Sequence, residues 1–237
     1  MSHQNVPGSA LALLALLPAM GLSGCAAIQE AGETAGRKVQ AAVTPSEVWI
    51  MKYHVENHYR LLEEFTTRLY AKNPKYEPDP ARRQQKLAQI FKNGPPLERE
   101  FAAKPSHEIL TAAFSPDPGY PDRVYLLGLG LLKSIQEGYG LDDSRILWPG
   151  GRVKLERIER LHHNLSQANW RLRTYRDGRG DLLFLTNAAG PDGTLNMGYE
   201  VIMTEILAYI REDIHLLGGL PGKYIFNMSA LFVGIII

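Results

Sequence analysis

Nine consecutive residues, Val124-Tyr125-Leu126-Leu127-Gly128-Leu129-Gly130-Leu131-Leu132, are apolar on every side of any helix they form. A helix of that kind has no face to offer water, so other elements must pack around all of it. Asp122 is placed to cap it, and the periodicity carries it from Arg123 to Tyr139. Gly128 and Gly130 each cost about 1 kcal/mol against Ala in a helix interior, which close approach by neighbouring elements has to offset. A buried strand is the competing reading, because a short apolar run does not settle its own period.

The surrounding elements are legible as amphipathic helices. Thr44-Pro45-Ser46-Glu47 combines a capping residue, a proline suited to the first helical position and a glutamate that completes a capping box. Val48, Met51, Val55, Leu62, Phe65 and Leu69 then recur at helical spacing, and Asn73-Pro74 stops the helix, so it spans roughly 45 to 72. Lys75 to Pro80 reads as a loop before a second helix from Ala81 to Lys92, with Leu87, Ile90 and Phe91 inward. A short helix begins at Ser106 and carries Ile109, Leu110 and Ala113. The segment Arg152 to Tyr175 repeats Leu155, Ile158, Leu161, Leu165, Ala168, Leu172 and Tyr175 and predicts a second long helix. Its end also alternates like a strand before the turn Asp177-Gly178-Arg179-Gly180, which leaves room for a short β-hairpin over 170–186. A last helix is expected from about Met197 to Leu217, with Tyr199, Ile202, Ile206, Tyr209, Ile210 and Leu217 buried and Gly218-Gly219 ending it. Tyr224 to Ile237 is strongly apolar but only fourteen residues long, so it reads as a segment inserted into the core rather than a membrane span.

Two sets of side chains stand out as candidate sites. His54 and His58 lie four apart on the first long helix and can share one face, a half-site for zinc. The run His54-Val55-Glu56-Asn57-His58 lacks the glutamate placement of the zincin pattern, and spacing fixes no third ligand. Histidines hydrogen bonded within a core are the commoner outcome of such a pair. Between Arg145 and Arg179, nine Lys or Arg face three acids, and Arg152, Lys154, Arg157, Arg160, Arg171, Arg173 and Arg176 form a candidate surface for an anionic partner. The bland alternative is a solvated face whose cations pair with acids elsewhere. A net charge of +1 argues against a nucleic-acid partner. Gly-x-Ser-x-Gly, a phosphate-binding loop and Ser-x-x-Lys with its companions are absent, so nothing positive supports an enzyme and no cofactor is expected.

The remaining signal lies upstream. Leu22-Ser23-Gly24-Cys25 follows an eleven-residue apolar run, Ala10 to Met20, and holds the one cysteine of the chain. It resembles the lipobox of a bacterial lipoprotein signal peptide. The resemblance implies removal of residues 1–24 and lipidation of Cys25, and Ala26 after the cysteine implies sorting to the outer membrane. An apolar run of that length is too short to span a bilayer. Residues 25–43, rich in Ala, Gly, Gln and Glu, read as a tether reaching at most ~70 Å, and 44–237 as one helical domain. The stretch Asp122 to Tyr139, with Leu161-His162-His163-Asn164, Ala168-Asn169-Trp170-Arg171-Leu172 and Leu182-Leu183-Phe184-Leu185-Thr186-Asn187, resembles a family of uncharacterised proteobacterial lipoproteins. That family carries no functional residue across.

The expectation is a mainly α, helical-bundle-like domain, lipid-anchored at the periplasmic face of the outer membrane and acting as a binding or scaffold component with an envelope protein partner. The alternatives are a carrier of lipid or another hydrophobic ligand, with its pocket beside Gly128 and Gly130, and a metal-dependent hydrolase built on His54 and His58.

Overall fold

The chain divides into two units, Met1–Gln40 and Ala41–Ile237. A computed structural model describes residues 45–92, 99–117, 119–141, 153–186 and 198–235, all in the second unit. Among these residues the fold is all-α, with helices α1 (Pro45–Lys72), α2 (Pro80–Phe91), α3 (Arg99–Ala103), α4 (Ser106–Phe114), α5 (Arg123–Tyr139), α6 (Leu155–Thr174) and α7 (Gly198–Leu216).

Helix α5 is the centre. It packs against α1, α2, α4 and α6, while α7 closes on α1 and α6. Nearly every residue of α5 is buried, as an all-round apolar sequence requires. The strand reading of 124–132 is thereby displaced. Asp122 caps the helix by accepting from Tyr125 N–H at 2.9 Å. At the far end Gly140, at φ +65°, lets Leu141 N–H reach back to the Gln136 carbonyl at 2.8 Å.

The glycines of α5 show why the helix tolerates them. A Cβ on Gly128 would lie 2.8 Å from Cγ2 of Thr66 on α1, and one on Gly130 would lie 2.9 Å from Leu110 on α4. Gly138 meets Leu161 of α6 at 2.8 Å in the same way. Three neighbours thus approach one helix more closely than any side chain would permit. The ground beside Gly128 and Gly130, where the carrier reading places a ligand pocket, is filled by Thr66, Ile90 and Leu110.

Several junctions are made by charged groups. Asp79 caps α2 through Ala81 N–H at 2.8 Å, and Glu137 of α5 accepts from Ser106 N–H at 2.7 Å and from the Ser106 hydroxyl, closing the start of α4. The guanidinium of Arg123 donates to the carbonyls of Ala113, Ser115 and Pro116, closing its other end. Lys86 bridges Glu77 and Asp122 at 2.7 Å each, and Tyr70 donates to the same Asp122 at 2.9 Å.

Over 170–186 the chain is helix and then a turn, with no strand among the described residues. Helix α6 runs to Thr174, and a single antiparallel bridge, Arg176 to Leu182, then spans the turn at Asp177–Gly180. The C-terminal segment departs from the core insertion that its apolarity suggested. Phe232 and Ile235 are buried, but Ile225 is 97% exposed, Met228 64% and Leu231 71%.

Gly130→Ala should destabilise the protein by about 1–2 kcal/mol, because overpacking against the Leu110 side chain and backbone exceeds the ~1 kcal/mol of helix propensity gained. Gly178→Ala, with nothing within 4 Å of its Cβ, serves as the neutral control, and urea denaturation of the two variants measures the difference.

Candidate functional site

Helical spacing already places His54 and His58 with the core residues: 51, 54, 58, 62, 65 and 69 step by three or four along one side of α1, with Val55 beside them. Both histidines are buried, at 3% and 0% exposure. They meet side chains from two other helices. His54 Nδ1 lies 2.7 Å from Oδ1 of Asp213 on α7, a carboxylate with no exposure at all. The hydroxyl of Tyr139, at the last turn of α5, donates to the other Asp213 oxygen. His58 Nε2 lies 3.1 Å from that same hydroxyl oxygen.

The donors can be ordered along this chain. Tyr139 gives its only proton to Asp213, so its oxygen must accept from His58, and His58 carries its proton on Nε2. Its Nδ1 is then a bare lone pair, consistent with a buried atom that has no hydrogen-bond partner. His54 likewise donates from Nδ1 to the carboxylate. The path His58, Tyr139, Asp213, His54 therefore joins α1, α5 and α7 through three hydrogen bonds, two of them to the oxygens of one carboxyl group.

Burial sets the electrostatics. Loss of water and the nearby His54 imidazole hold the His58 pKa down to about 3, so His58 is neutral throughout the physiological range. Burial and the adjacent Asp213 carboxylate push the Tyr139 phenol well above its ordinary value and keep it a donor. On the outer side, the Tyr209 ring covers His54 at 4.7 Å between centroids, Tyr53 meets Tyr209 edge-on at 6.4 Å, and His54 Nε2 faces Glu212 at 3.6 Å.

This Asp213–His54 pair has the orientation of a general base, with the carboxylate on Nδ1 and Nε2 on the far side of the ring. Yet the partner of Nε2 is the exposed carboxylate of Glu212, and among the described residues no Ser, Thr or Cys is hydrogen bonded to His54. As for zinc, the structure brings His54 and His58 together on the face expected, but their inner nitrogens are engaged with Asp213 and Tyr139. Among the described residues no group of three or more His, Cys, Asp or Glu is arranged to hold a metal ion. What the constellation does is tie helices.

Sequence spacing missed Asp213 and Tyr139, although a signal existed. Asp213 falls in register with Ile202, Ile206 and Ile210 on the buried side of α7, and an acid in that row calls for a partner.

The basic surface does not assemble as sequence proximity suggested. Arg171 is buried, with its guanidinium 4.4 Å from the Phe232 ring centre and 4.7 Å from that of Tyr175, so it leaves the surface altogether. Arg160 donates to the Gly234 carbonyl at 2.7 Å and pairs with Glu156, Arg173 pairs with Glu200 at 2.8 Å, and Arg176 donates to the Gly180 carbonyl. Lys154 is exposed and Arg157 partly so. Helical periodicity scatters these cations around α6, and most find partners within the fold. Arg152, together with the lipobox residues Leu22, Ser23, Gly24 and Cys25, lies outside the described residues.

Comparison of the chain with protein families, characterised proteins and solved structures returns no match.

Two outcomes test the network. Asp213→Ala strands the Tyr139 hydroxyl and the His54 N–H without an acceptor and should cost about 3 kcal/mol in urea denaturation, more than Tyr139→Phe. The folded state binds fewer protons than the unfolded chain between the His58 pKa of about 3 and the unperturbed value of 6.5. Stability from this residue is therefore complete above 6.5 and should fall by about 2 kcal/mol by pH 5. His162, held to about 4 chiefly by burial, adds in the same direction. Replacing His58 with Gln should flatten the acid limb of a denaturation profile taken from pH 7 to pH 4.

Proposed function

We propose that the chain is a lipid-anchored envelope protein, acylated at Cys25, whose helical domain serves as a binding or scaffold component at the periplasmic face of the outer membrane. The observation that carries this reading is Leu22-Ser23-Gly24-Cys25, one residue after the apolar run Ala10 to Met20. Two properties of the folded part support it. No described helix is long and apolar enough to cross a membrane, so attachment by an acyl chain would supply what the helices do not. The ionisable groups buried at the centre of the domain are spent on holding helices, as in Asp213 with His54 and Tyr139, rather than poised around a reacting atom.

In this reading the tether separates the anchor from the domain, and partners are met on the exposed surface. Packing of Thr66, Ile90 and Leu110 against the α5 glycines favours a binding surface over the internal pocket of a hydrophobic carrier.

Mass spectrometry of protein from cells should find a chain beginning at a triacylated or diacylated Cys25. Cys25→Ser should abolish the modification and release the protein from the membrane fraction; an intact first methionine with a free thiol would overturn the anchor. Crosslinking in intact cells should then recover one stoichiometric envelope protein with the parent and lose it with the Cys25→Ser variant.

A further inference from the structure

After α7 the chain leaves through Gly218, at φ +78°, and Pro221 and lies on α6 as a strap that runs out and back. On the outgoing limb Tyr224 and Phe226 set their rings against His163, at 4.8 and 5.4 Å, and Phe226 also meets Trp170 at 6.2 Å. The limb reverses at Asn227–Ala230, where Ala230 N–H reaches the Asn227 carbonyl at 3.1 Å. The returning limb passes back over the same His163, whose Nε2 lies 3.4 Å from the Leu231 carbonyl.

The strap is gripped by its backbone. Tyr175 donates to the carbonyl of Met228 at 3.0 Å, Gln167 and Arg171 to that of Ala230, Asn164 to that of Val233 at 2.8 Å, and Arg160 to that of Gly234 at 2.7 Å. Asn164 also accepts from Val233 N–H at 2.9 Å, so one side chain satisfies both polar groups of that residue. These contacts come from one side, that of α6. From the other side Ile225, Met228 and Leu231 project into solvent.

This combination is unusual for a surface loop. Water would satisfy exposed carbonyls without help, and large apolar side chains gain nothing by facing it. The carbonyls of Met228, Ala230, Val233 and Gly234 are supplied in the way an apolar medium calls for, since there backbone polar groups depend on partners within the protein. The charge pattern agrees. From Gly218 to Ile235 there is one charged residue, Lys223, and no acid, so nothing on the strap opposes an anionic surface. Trp170 and Tyr224, each partly buried near the exposed apolar side chains, are the residue types that settle at a membrane–water boundary.

We propose that this strap is a docking face for a lipid bilayer, with Ile225, Met228 and Leu231 entering the acyl boundary and Lys223 remaining among the headgroups. The identity of the bilayer rests on the envelope reading above. Geometry permits it: about twenty residues between Cys25 and α1 can span up to ~70 Å, more than the width expected of a domain this size, so any of its faces can reach the anchored membrane. Docking by the strap would turn a loosely leashed domain into one held in a single orientation.

The test exploits the sole cysteine. In a Cys25→Ser chain, which has no acyl group, Ile225→Cys and Met228→Cys are each labelled with an environment-sensitive nitrobenzoxadiazole dye, and Arg82→Cys, exposed on α2, is labelled as a control. Vesicles of phosphatidylethanolamine and phosphatidylglycerol at three to one should raise the emission of both strap labels about threefold or more, and spin-labelled lipid should quench them, while the control stays constant. Strap labels that behave like the control would overturn the proposal. So would a rise that follows protein concentration without vesicles, which would assign the face to self-association. Because no acyl group takes part, failure here leaves the Cys25 anchor standing, and an unmodified Cys25 in cells leaves the vesicle result intact.

Discussion

A carboxylate with no access to water sits where α1, α5 and α7 meet. His54 and Tyr139 both donate to Asp213, and Tyr139 in turn accepts from His58. Removing water from an ion costs several kcal/mol, and directed donors are what return that cost. The geometry of three helices is consequently coupled: sliding any one of them would break a bond to the buried charge. Apolar contacts between helices are tolerant of small shifts, whereas hydrogen bonds lose strength steeply with distance and angle. The network thereby selects one register among the many that hydrophobic burial would accept.

Around this point the fold alternates two ways of bringing helices together. Where α5 carries glycine, its neighbours approach its backbone and dispersion does the work. Where elements end, ionised side chains close the exposed carbonyls and N–H groups, as Glu137 does for the start of α4 and Arg123 for its end. The Lys86 bridge between Glu77 and Asp122 belongs to the second kind, and it links the loop before α2 to the cap of α5. Helix α6 extends the same chemistry outward, using Arg160, Asn164, Gln167 and Arg171 to hold an extended segment by its carbonyls. Two of the seven cations that looked like a basic surface, Arg160 and Arg171, thus serve the fold itself.

Legibility in the sequence varied with the kind of signal. The start of α1 at Pro45 and the Asp122 cap followed from local chemistry that acts over a turn or less, so they could be read without knowing the neighbours. Helix α3, five residues long, carries too few residues to show a period. The His54 and His58 pair was visible as a pair, but its meaning was not, because Asp213 lies 159 positions from His54 and hydrogen bonding across that interval depends on topology. Arg171 shows the converse. Its charge suggested solvent, while stacking on Phe232 and Tyr175 and donation to the Ala230 carbonyl made burial tolerable.

What the chain determines by itself is local: helical periods, caps, breaks, a central element apolar on every side, and a lipobox-like stretch ending in one cysteine. Those follow from side chains acting on their own backbone within a few residues. Tertiary structure alone decided which buried polar groups meet, which cations are consumed by the fold, and that an apolar tail expected in the core lies along α6 with Ile225, Met228 and Leu231 turned outward. Each of these depends on groups brought together from distant positions, and no period in the sequence encodes the distance between them.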